Sequence, residues 1–581
     1  MGGFAGLAPP AGSAPITARF LTAPALAGQP ARRAAAGLCI WGRRDIALAE
    51  DRGGALALAG YARAAGRPIA AAELLARWRH EGPALLDSLG GEFALAVIAD
   101  GAVWIARDRL GTRPLYFVQR GEATWFASAI GPLVAAGAPI ASDREAVVTS
   151  LVLGYVPAPR TALAGVEQLA PGEWLRLAPR RARAALRPCR LDEHPRRGLA
   201  AAARALDRTV TRAVEDALPV SDGDRVGAFL SGGIDSSLVL ARLVEAGRTP
   251  TAYTLHFGDH LPGELTYARA VARHLGVRHH VMTLDARRFC DALEPALLHL
   301  EDLLSEPIAV PNFLLARAAA RECDVLFTGE GGDPPFGGPK NIGLVLAWTY
   351  RHHPLAPSLP ASYLAAHHHL YEDLDEALDP EWRASFDERR LIERLVEPLL
   401  APAAGTPAQS FVGRLMLANI LLKGRNNILV KVAKMVGAHD VALRSPLFDA
   451  RVVDLALTIP PWQKLVGTEE KLVLKQAAAR SLPRIVLERP KRGMAVPLRA
   501  WFDGALGRLA RDVLTERAVR ERGLFRWPYV RSLLEGQSLS TELARPRGPE
   551  KLWLVLIAEL HQRALERLAR AAGDAAAAGA A

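Results

Sequence analysis

The stretch Val226-Gly-Ala-Phe-Leu230-Ser231-Gly232-Gly233-Ile234-Asp235-Ser236-Ser237 decides the fold of the C-terminal part of this chain. Its first five residues form a short apolar run typical of a buried strand, and apolar residues recur at helical spacing from Ser236 to Ala246. The two glycines let the backbone approach a ligand with its N–H groups turned inward, the serines add hydroxyl donors, and the helix start adds positive potential. The loop therefore predicts a site for a pyrophosphate group.

Asp235 lies inside this loop, where a bare phosphate would repel its carboxylate. Its presence predicts a Mg²⁺ ion between the two, because Mg²⁺ is held by carboxylates together with phosphate oxygens. The loop is not a Walker A motif, since no Gly-Lys-Ser or Gly-Lys-Thr follows it. The alternative is a Gly-Ser turn that only caps a helix. The preceding strand and the full seven-residue pattern favour nucleotide binding.

Strand-like and helix-like segments alternate after the loop. Thr251–His256, His280–Thr283 and Asp324–Phe327 are short runs typical of strands, and Leu265–Leu275 has helical spacing. Repeated strand–helix units predict a doubly wound parallel sheet, which binds ligands at the carboxyl ends of its strands. From about residue 340 to 575 the pattern predicts mostly helix.

The N-terminal third has a different pattern, in which short β-like runs follow one another across turns. These runs are Phe93–Ala99, Val103–Ala106, Leu115–Val118 and Thr124–Phe126. The Asp100-Gly101 pair is a hairpin signal, so the region predicts antiparallel sheet. Residues 176–204 are rich in Arg, Pro and Ala and have no sustained apolar period. We therefore predict a domain over 1–175, a linker over 176–204 and a second domain over 205–575.

The composition excludes several classes of protein. The 581 residues are 50% hydrophobic and 23% charged, which is close to globular averages. There is no apolar stretch long enough for a membrane span and no basic segment like that of a signal peptide, so we expect a cytoplasmic protein. The net charge of +11 comes without an RNP, zinc-finger or basic-helix pattern. We expect no nucleic-acid partner, and the charge suits an acidic ligand or peptide.

The loop 231–237 matches the SGGxDS motif of the ATP-pyrophosphatase superfamily, and the wider chain resembles the asparagine synthetase family. Residues 106–117, 126–128 and 154–160 resemble the glutaminase domain of that family. Further matches follow in family order at 267–272, 329–333, 445–449 and 489–493. The resemblance implies an α/β protein with an Ntn-type αββα glutaminase-like domain and a C-terminal ATP-pyrophosphatase domain with helical additions.

The resemblance also implies roles for individual residues. Asp235 and Asp333 match the aspartates that hold Mg²⁺ on the phosphates of ATP, and Lys471 matches the lysine that stabilises charge at the adenylated carbonyl. A lysine on a solvated helix face is the alternative for Lys471. The residues expected to bind the nucleotide are Leu230, Ser231, Gly232, Gly233, Asp235, Ser236, Ser237, Leu255, Thr328 and Gly329.

Two departures from the family pattern bear on the source of nitrogen. The family's glutaminase has a nucleophilic cysteine directly after the initiator methionine, where this chain has Gly2, and Ala59-Gly60 stands where a glutamine-binding Asn-Gly is expected. We therefore predict a degenerate domain that does not hydrolyse glutamine. Asparagine synthetases carry Glu directly after the second aspartate, whereas Pro334-Pro335 follows Asp333 here. Proline can neither accept a proton nor donate a hydrogen bond, which argues against asparagine formation.

Relatives without the N-terminal cysteine include β-lactam synthetases and the macrolactam-forming cyclases of lasso peptides, and residues 329–341 resemble the cyclases. Glu330 is the candidate base or amine-orienting group. Its alternative role is to hold Mg²⁺ indirectly, through groups that bind the ion. The resemblance implies an ATP-dependent ligase that adenylates an Asp or Glu side chain of a peptide and joins it to an amine. A leader-peptide-binding protein and a protease are the implied partners. The alternatives are ammonia-dependent asparagine synthesis, a β-lactam-synthetase-like ligase and an inactive peptide-binding scaffold.

Overall fold

The computed structural model describes residues 2–8, 31–33, 38–178, 181–194, 196–219, 223–260, 264–337, 344–345, 347–353, 358–367, 369–401, 410–467, 469–489, 493, 495–536 and 548–578. Parts of two motifs named above, 338–341 and 490–492, lie outside the described residues. The described residues form an N-terminal pair of antiparallel sheets and a C-terminal parallel sheet surrounded by helices.

The N-terminal domain is built from hairpins, as predicted. Its strands are β1 (Gly3–Ala8), β2 (Ala31–Arg33), β3 (Cys39–Trp41), β4 (Ile46–Asp51), β5 (Gly54–Ala64), β6 (Arg67–Pro68), β7 (Gly90–Ala99), β8 (Ala102–Arg107), β9 (Tyr116–Arg120), β10 (Ala123–Ala127), β11 (Val166–Gln168), β12 (Glu173–Ala178) and β13 (Ala182–Ala185). One sheet has the order β11-β9-β10-β1-β3-β2 and the other β13-β12-β8-β7-β5-β4, with β6 paired to β5.

The two sheets pack face to face, with small side chains of one sheet packed against large side chains of the other. Ala57 and Ala96 of the second sheet share a core with Phe126 of the first. Neighbouring residues of a strand face opposite sides, so Leu58 points into a separate core with the outer helix Ala71–Glu81. Helices also cover the outer face of the first sheet, where Ile130–Ala135 and the C-terminal Gly548–Ala578 pack. This arrangement gives the predicted αββα layers.

The C-terminal sheet is parallel throughout, which confirms the fold class. Its strands are β14 (Val226–Phe229), β15 (Thr251–His256), β16 (His279–Thr283), β17 (Val325–Phe327) and β18 (Ala442–Arg444), in the order β16-β15-β14-β17-β18. One face is covered by Leu199–Ala217, Ile234–Glu245 and Glu264–Leu275, and the other by Ala286–Leu300, Ala309–Ala319 and Leu429–Gly437. Four of these strands were expected from the sequence, and β18 was not.

The remainder of the C-terminal part is mostly helical, as predicted. A two-stranded hairpin, β19 (Leu465–Val466) with β20 (Glu469–Glu470), interrupts it. The other helices of the N-terminal part, including short 3₁₀ segments, are Gly82–Ala84, Leu85–Ser88 and Arg144–Leu153. Those of the C-terminal part, including short 3₁₀ and π segments, are Gly258–His260, Asp333–Phe336, Leu359–Ala365, Tyr371–Asp373, Leu374–Ala377, Pro380–Ala384, Glu388–Leu391, Ile392–Val396, Glu397–Leu400, Phe411–Asn419, Ile420–Ile428, Pro446–Phe448, Ala450–Thr458, Pro461–Gln463, Leu472–Ala478, Arg484–Leu487, Leu498–Phe502, Ala505–Val513, Glu516–Arg522 and Trp527–Leu534.

The segment predicted as a linker contains ordered secondary structure. Strand β12 continues to Ala178, and β13 pairs with it antiparallel inside the segment 176–204. The first helix of the C-terminal part begins at Leu199. The sheet of the N-terminal domain therefore extends into the sequence that we predicted to connect the two domains.

A buried cluster of charges joins the N-terminal domain to β18. The carboxylate of Asp45 forms ion pairs with Arg113 and, at 2.7 Å, with Arg444. Burial alone would raise the pKa of Asp45, but the two guanidinium charges outweigh it and hold that pKa below its ordinary value. Glu92, also buried, accepts a hydrogen bond from the backbone N–H of Ser445 at 2.8 Å. Burial raises the pKa of Glu92 to about 7 against the opposing effect of the two arginines.

The Glu92→Gln substitution is expected to change how stability depends on pH. The folded chain keeps the Glu92 proton up to about pH 7, whereas the unfolded chain releases it near pH 4.5. The wild-type chain therefore loses stability as the pH rises through this window, by about 3 kcal/mol at most. In denaturant titrations, the variant should gain stability relative to wild type between pH 5 and pH 8. Parallel pH dependences of the two proteins would contradict this expectation.

Candidate active site

A cavity of about 180 Å³ opens where β14, β15 and β17 end. The carboxyl ends of parallel strands meet at one edge of the sheet, which is why the loops after these strands share one space. The loop after β14 supplies Ser231 and Asp235, and the loop after β17 supplies Thr328 and Asp333. The predicted site and the cavity therefore coincide.

The first loop is shaped by its serines and glycines. The Ser236 hydroxyl accepts a hydrogen bond from the backbone N–H of Ser231 at 3.1 Å and lies 3.1 Å from the Ser231 hydroxyl. Gly232 has a positive φ of 72°, and a side chain there would collide with the backbone of Ala268. Glycine is therefore required at this turn, which delivers the chain to the start of the helix Ile234–Glu245.

The second loop packs directly on the first. A Cβ at Gly329 would lie 2.6 Å from the carbonyl carbon of Asp235, so glycine allows the loop to cross the start of the helix. A Cβ at Gly332 would lie 2.6 Å from Oδ1 of Asp235. Both distances are shorter than ordinary contacts, and the two loops fit together only because these positions lack side chains.

Lys471 comes from a third segment and joins the two loops. Its Nζ forms ion pairs with the carboxylates of both Asp235 and Asp333. The residue has a positive φ of 59° at the point where the hairpin β19–β20 ends and the helix Leu472–Ala478 begins. Its side chain is only 1% exposed, whereas that of Asp333 is 47% exposed. The alternative of a solvated helix-face lysine is therefore wrong.

The electrostatics of this group fit a bound cation. Burial alone would lower the pKa of Lys471, but the charges of Asp235 and Asp333 outweigh it and raise the pKa, so the side chain is an ammonium. Oδ1 of Asp235 is buried and has no hydrogen-bond partner. A buried carboxylate oxygen without a partner is costly unless a ligand satisfies it. Asp235 and Asp333 thus suit Mg²⁺ carried on nucleotide phosphates, with the phosphates completing the oxygen ligands.

The structure brings most of the predicted site residues to one cavity. Those that line it are Leu230, Ser231, Gly233, Asp235, Ser236, Leu255, Thr328, Gly329, Glu330, Asp333 and Lys471. Gly232 and Ser237 do not reach its wall. Ser237 is fully buried, and because it follows Ser236 on the helix its side chain points about 100° away from that of Ser236.

Other lining residues were not expected from the sequence. Arg489 forms an ion pair with Glu264 at 3.1 Å and stacks over the ring of Tyr267 at 4.5 Å, so it joins the segment after the helix Arg484–Leu487 to the helix Glu264–Leu275. Asn312 lines the cavity from the opposite face of the sheet, and its buried Nδ2 has no hydrogen-bond partner. Tyr267 and Arg489 lie in the family-like segments 267–272 and 489–493. Asn312 lies in no segment that the sequence analysis singled out.

Pro334 and Pro335 fall in a short helix that begins at Asp333. Proline fits the first turn of a helix because its missing N–H would be unsatisfied there in any case. Both rings are buried, and neither lines the cavity. The position after Asp333 therefore offers no proton acceptor to the site.

The start of β1, where the family's glutaminase has its nucleophile, is closely packed. A Cβ at Gly3 would lie 2.5 Å from the ring of Trp41, and one at Gly2 would collide with the carbonyl oxygen of Arg44. A Cβ at Gly60, in the segment that replaces the expected Asn-Gly, would collide with the carbonyl oxygen of Glu92. A side chain at Gly2 or Gly3 would therefore require its neighbours to move.

The described residues contain no group of three or more His, Cys, Asp or Glu side chains arranged to hold a metal ion. A cation bound here would therefore take part of its coordination from the nucleotide or from water. No helix among them has the length and apolar character that a membrane crossing needs.

Comparison with protein families agrees with this geometry. Residues 205–563 match the family model described as "Asparagine synthase", which is more than half of the chain. The chain belongs to the asparagine synthase family. It is accordingly an ATP-dependent carbon–nitrogen ligase that forms AMP. Residues 69–186 match a "Glutamine amidotransferase domain", in agreement with the αββα layers of the N-terminal domain.

Curated relatives of this asparagine synthase family member span most of its length. Asparagine synthetase (glutamine-hydrolyzing) 1 of Bacillus subtilis (strain 168) is 26% identical over 525 residues, which cover 83% of this chain and 79% of the relative. Asparagine synthetase B (glutamine-hydrolyzing) of Escherichia coli (strain K12) is 25% identical over 476 residues, which cover 78% of this chain and 70% of the relative.

The Gly329→Ala substitution should weaken ATP binding, because the added methyl group would push the second loop away from the start of the helix. We expect the Kd for ATP with Mg²⁺, measured by titration calorimetry, to rise at least tenfold, or by about 1.4 kcal/mol. Gly198→Ala is the matched control, since a Cβ there meets open space and its φ is an ordinary −71°. Equal affinities of the two variants would contradict the importance of this close packing.

Proposed function

We propose that this protein uses ATP to adenylate a carboxylate of a peptide and then closes an amide bond to an amine of the same molecule. The observation that carries the proposal is the Lys471 ammonium held between Asp235 and Asp333, beside a loop suited to pyrophosphate. Lys471 is thereby positioned beside the phosphate loop, where charge develops during adenylation.

The reaction has two steps. A carboxylate oxygen of the substrate attacks the α-phosphorus of ATP, and the bond to the β-phosphate breaks to release pyrophosphate. The amine nitrogen then attacks the acyl carbon, the bond to AMP breaks, and the nitrogen loses a proton. Mg²⁺ on Asp235 and Asp333 would neutralise phosphate charge in the first step. Glu330, a half-buried carboxylate on the cavity wall, is the proposed acceptor of the proton.

The amine source is the part of the proposal that separates this chain from its named relatives. The crowded Gly2 and Gly3 support the loss of glutamine hydrolysis. The buried Pro334 supports the loss of a group that could manage ammonia. An amine tethered to the activated acid needs neither feature, because tethering gives a large effective molarity. We therefore propose macrolactam formation in a lasso-type peptide, with a leader-peptide-binding protein and a protease as partners.

Ammonia-dependent asparagine synthesis is the second candidate, since the curated relatives are named asparagine synthetases. Aspartate, ammonia and ATP would then give asparagine, AMP and pyrophosphate. Amino acid analysis of such a reaction distinguishes the two candidates, because only the second yields free asparagine.

The central test is exchange of labelled pyrophosphate into ATP, with a leader-free candidate lasso-type peptide that carries a free α-amine and an Asp or Glu side chain as the acid. We expect peptide-dependent exchange and a product lighter than the peptide by one water. Lys471→Met should lower the exchange rate by about 10²–10³-fold, because it removes the ammonium and keeps an unbranched side chain that is only one atom shorter. Exchange without the peptide, or product of unchanged mass, would contradict the proposal.

The Gly2→Cys substitution should not create glutaminase activity. A side chain at this position would collide with the carbonyl oxygen of Arg44, so the thiol cannot take a productive position. We expect glutamate release from glutamine to stay at the wild-type background in an enzymatic glutamate assay. Circular dichroism would check that the variant is folded. Glutamate release well above background would show that the domain needs only the nucleophile.

A further inference from the structure

Side chains of the N-terminal domain cover the free edge of the C-terminal sheet. Strand β18 is an edge strand of only three residues, paired with β17 alone among the described strands. An edge strand leaves backbone N–H and C=O groups without strand partners. Here Arg113 donates a hydrogen bond to the carbonyl oxygen of Leu443 at 3.0 Å, and Glu92 accepts one from the N–H of Ser445 at 2.8 Å. The other domain thus supplies partners for this backbone.

The charges of Asp45, Arg113 and Arg444 at this edge are buried and form ion pairs with one another. The side chains of Arg113 and Asp45 are 2% and 3% exposed, and Asp45 also pairs with Arg444 of the strand. The guanidinium of Arg444 lies over the ring of Tyr61 at 4.6 Å. Buried charges of this kind fix geometry, because any displacement leaves a charge without its partner. The cluster therefore sets the position of β18 rather than merely covering it.

The same short segment contacts the loop that carries the predicted nucleotide residues. The carbonyl oxygen of Arg444 accepts a hydrogen bond from the N–H of Thr328 at 3.0 Å. A Cβ at Gly331 would lie 2.8 Å from that of Phe448, and one at Gly332 would lie 3.1 Å from the side chain of Leu447. Residues 444–448 therefore form the surface on which loop 328–333 rests.

We propose that Glu92 and Arg113 are positioning residues for the adenylation site: they fix β18 and the turn after it, and this segment fixes the loop from Thr328 to Asp333. The degenerate N-terminal domain then has a function that needs no glutamine. The inference rests on the proposed role of Asp333 in holding the nucleotide.

The test compares Glu92→Ala, which removes the acceptor for Ser445 N–H, with Glu92→Gln, which keeps one. Glu73→Gln is the matched control, because Glu73 forms an exposed ion pair with Arg67 in the same domain. Hydrogen–deuterium exchange of the full chain reports on the loop, and pyrophosphate exchange reports on the site. We expect Glu92→Ala to exchange amides 328–333 at least tenfold faster, with the helix Glu264–Leu275 unchanged. Its pyrophosphate-exchange kcat should fall about tenfold, with a smaller change in KM.

The Glu92→Gln variant distinguishes a positioning role of Glu92 from a general loss of stability. Glu92→Gln and Glu73→Gln should both stay within twofold of wild type in loop exchange and in kcat. The proposal is overturned if Glu92→Ala leaves amides 328–333 unchanged, or if Glu92→Gln is as impaired as Glu92→Ala. Should Glu92→Ala fail to fold, Arg113→Lys replaces it, since lysine keeps the charge but its side chain ends one atom short of Nη2, the arginine nitrogen that contacts both Asp45 and the Leu443 carbonyl. Unchanged loop exchange in Arg113→Lys would then overturn the proposal.

Failure of the proposed function gives a different result. If the wild-type chain supports no pyrophosphate exchange with any acid, the adenylation proposal fails. The hydrogen–deuterium comparison needs no substrate and still tests whether Glu92 and Arg113 fix the loop.

Discussion

The contact of one ammonium with two carboxylates is the constraint on which the site depends. Asp235, Asp333 and Lys471 come from three segments that are about 100 residues or more apart in the chain. Two aspartates this close would repel each other without a cation between them. Lys471 supplies that cation from a buried position, so the three segments can approach closely enough to enclose a cavity. Gly329 and Gly332 allow the same close approach, because a side chain at either position would collide with Asp235.

Local sequence patterns were sufficient for the parts of the molecule that depend on local chemistry. The strand–loop–helix unit around Ser231 has its own turn glycines and its own serine hydrogen bonds, so it could be predicted from the residues alone. Asp333 and Lys471 required the family resemblance, because their relation to Asp235 spans the whole C-terminal part. Ser237 belongs to the same motif, but it is buried because successive helix residues point in different directions. The order of residues in the motif alone does not show which of them face the cavity.

Features produced by tertiary packing could not be predicted. Strand β18 has three residues, too few for a periodicity, and it becomes a strand through its pairing with β17. Glu92, Arg113 and Arg444 are charged residues, which usually lie at the surface, yet here they are buried between domains. Composition gave no indication of this, since pairing partners such as Asp45 are far away in the sequence. The domain interface is thus the part of the structure about which the sequence was least informative.

The packing around β1 limits the substitutions that positions 2 and 3 can accept. Trp41 and the Arg44 carbonyl occupy the volume that a residue at position 2 or 3 would need for a side chain. A side chain at position 2 would require the Arg44 backbone to move, and one at position 3 would require the Trp41 ring to move. The filled space therefore limits which single substitutions this end of the domain can accept without movement of its neighbours.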